Sequence, residues 1–262
     1  MQKQGEILFR AKGLIKTYGK RKSAGAFTAL KGLDFEIKRG EAVAIIGKSG
    51  SGKSTLMHLL ALLDKPTKGK VLLGEEDTTK LRQKELNALR NQRFGFIFQS
   101  FFMNANDTVL NNVMLPLKIA GVKPKERRER ALEALKAVEL TDKANNKASD
   151  LSGGQKQRVC IARAIVNEPE VIFADEPTGN LDSATGMRIT NILFSLHRNR
   201  NITLIVVTHD ADLANKCHRQ IRIADGKIVK DVLMPNHEHV PYHDYDVDGI
   251  ADETERFVEV EE

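Results

Sequence analysis

The stretch VAIIGKSGSGKSTL (43–56) decides the fold of this sequence. A short apolar run rich in β-branched residues leads into the pattern GxxxxGK[ST], and a helical apolar pattern begins directly after it. Glycines at this spacing let backbone N–H groups approach a phosphate, and the start of the helix adds a favourable dipole. Lys53 is expected to reach the β- and γ-phosphates, and the Ser54 hydroxyl is expected to bind Mg²⁺. The predicted phosphate-binding loop consists of Gly47, Lys48, Ser49, Gly50, Ser51, Gly52, Lys53, Ser54 and Thr55.

Apolar strand-like runs alternate with helical patterns along most of the chain. Continuous apolar strands between helices favour an α/β fold, in which helices cover both faces of a parallel sheet. The predicted strands of this parallel core are VAIIG (43–47), KVLLG (70–74), GFIFQ (95–99), EVIFAD (170–175) and ITLIVVTH (202–209).

Two other segments have the pattern of antiparallel strands. They are the first forty residues and the hairpin at 219–231, which turns at Asp225-Gly226. Residues at about 80–168 are almost wholly helical, apart from GFIFQ. We therefore predict one domain over residues 1–231, with a phosphate-loop NTPase core, an antiparallel β edge subdomain and a helical insertion.

Residues 232–262 form a strongly acidic segment without hydrophobic periodicity, which predicts a disordered tail. The segment holds ten acidic residues and one Arg, a net charge of −9, and this leaves +15 on residues 1–231. Its three histidines, at positions 237, 239 and 243, are a weak candidate for metal binding. A basic body is compatible with nucleic acid, with an anionic membrane surface or with an ordinary solvated surface.

The overall composition is that of a soluble globular protein, with 41 % apolar and 29 % charged residues. It excludes collagen, a disulfide scaffold and a chain that is disordered throughout. The longest apolar run, Leu56 to Leu63, has eight residues, whereas a membrane-spanning helix needs about 20. The two cysteines, Cys160 and Cys217, have no metal-binding spacing, which predicts free thiols in the cytosol.

Two acidic residues, Asp175 and Glu176, close the apolar run VIFADE. In a parallel sheet, the carboxyl end of a strand is where ligands gather, so both carboxylates are expected beside the phosphate loop. Adjacent strand residues point to opposite sides, which allows two different roles. Asp175 is expected to hold Mg²⁺, and Glu176 is expected to polarise the attacking water.

The string LSGGQ (151–155) resembles the signature of the nucleotide-binding subunits of ATP-binding-cassette (ABC) transporters. Ser152, Gly153, Gly154 and Gln155 at the start of a helix form a second anion site. The chain already has one phosphate loop, so this second site is expected to bind the γ-phosphate held by another copy of the chain. An N-capped helix accounts for Ser152 without a ligand, but we expect it to leave the double glycine unexplained.

Other motifs of the same family follow in order over about residues 5–231. Tyr18 in KTYGK resembles the aromatic residue that stacks on adenine. Gln99 in FIFQS resembles the Q-loop residue, which touches Mg²⁺ or the lytic water. Asp182 in NLD resembles the D-loop residue, and His209 in VVTHD resembles the switch histidine at the γ-phosphate. The resemblance implies an ATP- and Mg²⁺-dependent ATPase that forms an ATP-sandwich homodimer.

Three segments are similar in sequence to the lipoprotein-release, macrolide-efflux and cell-division ATPases of this family. They are DKPTKG (64–69), ALRNQRFGFIFQ (88–99) and ADEPTGNLD (174–182). Such ATPases work on the cytoplasmic face of the membrane through a separate permease. The alternative within this group is a regulatory ATPase that controls cell-wall hydrolases through its permease. Asn104, Asn106 and Asn111 depart from the group's usual, more apolar sequence in the segment where the permease is expected to dock.

A second class of function, DNA maintenance, is supported by the basic body alone. ABC proteins of that class usually insert long coiled coils between the Q-loop and the signature. Here Leu151 follows Gln99 by only 52 positions. We therefore expect no nucleic-acid partner.

Overall fold

Two β-sheets form the framework of the molecule. The computed structural model describes residues 5–19 and 25–234. The acidic tail was predicted to begin at residue 232, but residues 232 and 233 belong to the last strand of the structure. The rest of the predicted tail, beyond residue 234 and with its three histidines, lies outside these ranges. The strands, in chain order, are β1 (Ile7–Tyr18), β2 (Phe27–Lys38), β3 (Ala42–Ile46), β4 (Lys68–Leu73), β5 (Glu76–Asp77), β6 (Phe94–Ile97), β7 (Val171–Asp175), β8 (Thr203–Val207), β9 (Arg219–Ala224) and β10 (Lys227–Leu233).

Seven α-helices connect these strands in the described part of the chain. Several begin at a side chain that accepts a backbone hydrogen bond, as Thr108, Asp182 and Asp210 do. Within residues 5–19 and 25–234, none of the helices combines the length and the apolar character needed to cross a membrane. The helices are α1 (Lys53–Leu60), α2 (Gln83–Arg93), α3 (Val109–Ile119), α4 (Pro124–Lys136), α5 (Gly153–Ile165), α6 (Ser183–Arg200) and α7 (Ala211–Asn215).

The larger sheet has six strands in the order β10-β9-β3-β8-β7-β6. All neighbours in it are parallel except β9 and β10, which form an antiparallel hairpin. The smaller sheet is antiparallel, with the order β2-β1-β4-β5. The predicted fold class, a parallel phosphate-loop core with an antiparallel sheet beside it, is confirmed.

Two strands lie in the other sheet from the one predicted. KVLLG (70–74) was expected in the parallel core, but β4 pairs antiparallel with β1. The hairpin at 219–231 was expected in the edge subdomain, but β9 pairs parallel with β3. A short apolar strand fits either sheet, and its partner is set by contacts that are distant in sequence.

The two faces of the larger sheet are packed against different layers. Val43 and Ile45 pack with α1 and the antiparallel sheet, whereas Ala42 and Ala44 pack with α3 to α6. This alternation is the period-2 geometry of a strand whose faces are both buried. As a result, β3, β8 and β7 are neighbours deep in the molecule, and their carboxyl ends open at one edge of the sheet.

Candidate functional site

The loop after β3 has a backbone that only glycine can adopt at several points. Gly50 and Gly52 have φ of +76° and +109°. A Cβ on Gly52 would lie 2.7 Å from the Ala29 carbonyl oxygen. Helix α1 begins at the next residue, Lys53, whose Nζ donates hydrogen bonds to the Gly47 and Lys48 carbonyl oxygens at 2.8 and 3.0 Å. The predicted strand–loop–helix arrangement is therefore present.

Asp175 and Glu176 follow from β7, the second neighbour of β3 in the sheet. The pKa of the Asp175 carboxyl is raised above its ordinary value, because the group is buried and because Glu176 lies next to it; His58 and Lys53 act in the opposite direction. The ionised form of Asp175 is therefore costly unless a cation lies beside it.

Glu176 is held in a left-handed backbone conformation with φ of +46°. Its N–H donates to the Val207 carbonyl oxygen at 2.9 Å, which ties it to the end of β8. The Thr208 hydroxyl donates to Oε2 at 3.2 Å, and Nδ1 of His209 lies 2.9 Å from Oε1. Non-glycine residues in this conformation cluster at functional sites, where surrounding contacts hold the strain.

One cavity of about 500 Å³ collects most of the predicted site residues. Its polar wall carries hydroxyl, amide, carboxylate, imidazole and ammonium groups at the carboxyl ends of four neighbouring strands, β3, β8, β7 and β6. It is lined by Phe27, Ala29, Gly47, Ser49, Gly50, Gly52, Lys53, Ser54, Thr55, Gln99, Asp175, Glu176, Val207 and His209.

Other predicted residues lie around this cavity instead of lining it. Lys48 and Ser51 line an adjoining cavity of about 740 Å³, which shares Gly47, Ser49, Gly50 and His209 with the first. Tyr18 is 40 % exposed and pairs across β1 and β2 with Phe27, which does line the phosphate-loop cavity. Ser152, Gly153, Gly154, Gln155 and Asp182 do not line either cavity of this chain.

Three residues of the site were not predicted from the sequence. Thr208 orients Glu176, and Phe27 widens the apolar wall next to Tyr18. Asn180 forms two hydrogen bonds with Gln99: its Nδ2 donates to the Gln99 carbonyl oxygen at 3.0 Å, and Gln99 Nε2 donates to its Oδ1 at 3.4 Å. Thr208 and Asn180 stand inside motifs that were recognised, but pairing across the site is a tertiary property that spacing does not reveal.

The signature residues form an N-terminal capping box on α5. The Gln155 N–H donates to Oγ of Ser152 at 3.3 Å, and the Ser152 N–H donates to Oε1 of Gln155 at 3.0 Å. A Cβ on Gly154 would lie 2.4 Å from Cγ2 of Thr185 on α6. Gly154 therefore has a packing reason of its own, in a contact with another helix. A Cβ on Gly153 would meet only Leu181, at an ordinary 3.5 Å, so the capped helix by itself still does not account for the double glycine.

This close contact predicts that Gly154→Ala lowers the free energy of unfolding by about 1–3 kcal/mol, the usual cost of overpacking. Thr185→Ser removes only Cγ2 and keeps the hydroxyl, so the double variant is expected to regain most of the loss. Thermal or denaturant unfolding of the four proteins measures both effects. A double variant no more stable than Gly154→Ala would show that Thr185 is not the reason for this glycine.

The sequence model of the family described as "ABC transporter" matches residues 30–179, which is more than half of the chain. The lipoprotein-releasing system ATP-binding protein LolD of Bacteroides thetaiotaomicron is 44 % identical over 218 residues, which make up 83 % of this chain and 100 % of that protein. LolD of Aquifex aeolicus is 44 % identical over 212 residues, covering 81 % of this chain and 94 % of that protein.

Solved structures match over a similar extent. The ATP-binding cassette MJ0796, a dimer bound to ADP and Pi in a post-hydrolysis state, is 42 % identical with a TM-score of 0.79. The match covers 87 % of this chain and 100 % of that one. CbiO1 of Clostridium perfringens, part of the ABC transporter complex cbiONQ, is 30 % identical with a TM-score of 0.77, covering 86 % of this chain and 88 % of that one.

Proposed function

This chain belongs to the ABC transporter ATP-binding family, and on that premise we propose that it drives a separate membrane permease of the lipoprotein-releasing type. Membership of the family makes it an ATP hydrolase coupled to transport, with ATP and Mg²⁺ as its cofactors. The observation that carries the proposal is the single cavity that joins the phosphate loop to Asp175, Glu176, Gln99 and His209. The proposed type of permease is supported by the similarity to the LolD proteins, which are named as ATP-binding proteins of a lipoprotein-releasing system.

The donor groups in the cavity fit Mg²⁺. The Ser54 hydroxyl, the Gln99 amide oxygen and the Asp175 carboxylate are hard oxygen donors, which Mg²⁺ prefers. In the described residues, His, Cys, Asp and Glu do not gather in threes as a protein-only metal cage. Mg²⁺ typically takes several ligands from phosphates and water, so this small donor set is sufficient. Bound Mg²⁺ would neutralise charge on the phosphates and lower the cost of ionised Asp175.

Glu176 is placed to act on the water that attacks the γ-phosphate. Its carboxylate lies in the same cavity as Lys53, which is expected to hold the phosphates. The Thr208 hydroxyl and the His209 N–H both donate to Oε2 of Glu176, and Nδ1 of His209 lies beside Oε1, so the carboxylate is held in a set orientation from which it can accept a proton from water. His209 also belongs to the cavity wall, where its exposed imidazole can contact the γ-phosphate.

The signature and D-loop residues are proposed to act on ATP bound by a second copy of the chain. Ser152 and Gly153 are exposed at the start of α5. Asp182 is the N-cap residue of α6 and follows Glu176 closely in the sequence. None of them lines the phosphate-loop cavity of their own chain. The dimeric MJ0796 cassette supports a two-copy arrangement. Each ATP would then lie between Lys53 of one copy and Ser152 of the other.

The permease is proposed to dock on the segment that follows Gln99. Phe102 there is 72 % exposed and has φ of +44°, and Arg163 of α5 donates to the carbonyl oxygens of Phe101 and Phe102 at 2.9 and 2.8 Å. The polar residues that replace apolar ones in this segment have a local structural reason. Asn112, which is buried, accepts from the Asn104 N–H, and Asn111 Nδ2 donates to Asp107, so these amides hold the loop in shape.

The lipoprotein-release assignment is tested by purifying the chain with a few-helix permease that has a large extracytoplasmic domain, and placing the complex in proteoliposomes. ATP with Mg²⁺ is expected to release acylated lipoprotein from the membrane, and a complex carrying Glu176→Gln is the matched control. Stimulation of a cell-wall hydrolase without lipoprotein release would favour the regulatory alternative instead.

A further inference from the structure

Beside Tyr18 lies a small polar cluster of Lys16, Asp64 and the Lys65 carbonyl. Its residues stand in the motifs KTYGK and DKPTKG, but no role was predicted for them from the sequence. Lys16 and Tyr18 are two positions apart on β1, so their side chains lie on the same face of the strand. The Lys16 side chain is only 12 % exposed. Its Nζ lies 4.9 Å from the centroid of the Tyr18 ring, within the range of a cation–π contact.

Asp64 ties this lysine and this tyrosine together. Its Oδ1 accepts from Nζ of Lys16 at 2.6 Å and from the Lys65 N–H at 2.7 Å. Its Oδ2 accepts from the Tyr18 hydroxyl at 3.3 Å. Burial would raise the pKa of Asp64, but the hydrogen bonds from Lys16 and Lys65 and the charge of Lys16 hold this pKa below its ordinary value. The carboxylate is therefore ionised at neutral pH and pairs with Lys16.

Asp64 also connects the cluster to the phosphate loop. The N–H groups of Leu63 and Asp64 donate to the His58 carbonyl oxygen, at the end of α1. The same helix starts at Lys53, in the phosphate loop. Tyr18 is thus connected to the phosphate loop through Asp64 and one short helix.

The strand itself does not depend on this cluster. The Thr67 N–H donates to the Ile15 carbonyl oxygen at 2.8 Å, and the Thr17 N–H donates to the Thr67 hydroxyl at 3.0 Å. These bonds fix the backbone next to Tyr18 whether or not Lys16 is present. Lys16 and Asp64 contact the ring and its hydroxyl, so their contribution falls on the orientation of the side chain.

We propose that Lys16 and Asp64 are positioning residues that fix the tilt of the Tyr18 ring, so that the ring face turned away from Lys16 stacks on the base of ATP. This rests on the proposed function, in which Tyr18 contacts adenine. If the Tyr18 ring were free to rotate, binding of the base would have to order it, and the entropy cost would weaken ATP binding. The residues act on binding of the base and make no contact with the reacting phosphate.

Lys16→Met is expected to raise the KM and Kd for ATP about three- to tenfold, part of the effect of a lost base–aromatic stack, with kcat within about twofold. Lys16→Arg keeps the charge and is expected to retain most of the affinity. Asp64→Asn is expected to match Lys16→Met. Lys12→Met is the control, because Lys12 is an exposed lysine on the same strand.

Two further measurements separate positioning from a general structural role. Inorganic tripolyphosphate has no base, so its inhibition constant is expected to be equal in wild type and Lys16→Met. In a Tyr18→Ala background, which itself weakens ATP binding, Lys16→Met is expected to cause no further loss. A full loss in that background, or an equal loss for tripolyphosphate, overturns the proposal. So does wild-type affinity in both Lys16→Met and Asp64→Asn. Absence of ATPase activity in the wild type would instead contradict the proposed function.

Discussion

Replacement of Glu176 by Gln is expected to reduce ATP turnover by about 100-fold or more while ATP still binds, which is the usual scale for removing a general base. The amide has nearly the same shape and can still contact Thr208 and His209, so the cavity should keep its form. It cannot accept a proton from water. Phosphate contacts from the loop around Lys53 are unaffected, so the ATP-bound state is expected to accumulate as a lasting dimer.

The measurement is single-turnover hydrolysis together with size-exclusion chromatography in the presence of ATP and Mg²⁺. Glu129→Gln on the exposed side of α4 is the matched control, since it makes the same chemical change outside the cavity. Turnover within a few-fold of wild type in the Glu176 variant would remove this residue from the hydrolytic step. Loss of ATP binding in that variant would show that its role is structural.

The sequence alone predicted the parts of the fold in which local spacing and backbone geometry carry the information. The phosphate loop is the clearest case, because its glycines supply the positive φ angles and α1 begins within it, at Lys53. The same holds for the carboxylates at the end of β7, since an acidic residue that follows a buried parallel strand lies at the edge of the sheet where the strands end.

Features that depend on distant partners were predicted less well. The strand at 68–73 carries an apolar run that fits a core strand, and only its pairing with β1 places it in the antiparallel sheet. Gly154 was interpreted from the signature alone, yet Thr185 on another helix explains why a side chain does not fit there. The pair of Lys16 and Asp64 joins residues 48 positions apart, which no local pattern can indicate.

A composite site makes a prediction that a site within one chain cannot make. In the proposed dimer, Lys53 of one copy and Ser152 of the other hold the same ATP. Lys53→Ala removes the ammonium from the phosphate loop. Ser152→Glu places a carboxylate against the γ-phosphate, while an acid at the start of α5 remains compatible with the helix dipole. A homodimer of either variant would have both of its sites damaged, so each variant alone is expected to dimerise poorly with ATP.

Mixing the two variants is expected to restore ATP-dependent dimerisation. The heterodimer places both substitutions in one site and leaves Lys53 and Ser152 intact in the other, which is therefore a wild-type site. Differently tagged chains can be cross-linked with and without ATP, and thermal unfolding checks that each variant is folded. Because charge repulsion of several kcal/mol is removed from one of the two sites, recovery of the heterodimer should be large compared with either homodimer. If the wild type dimerises under the same conditions and the mixture does not exceed either variant alone, Lys53 and Ser152 do not share a nucleotide across two chains.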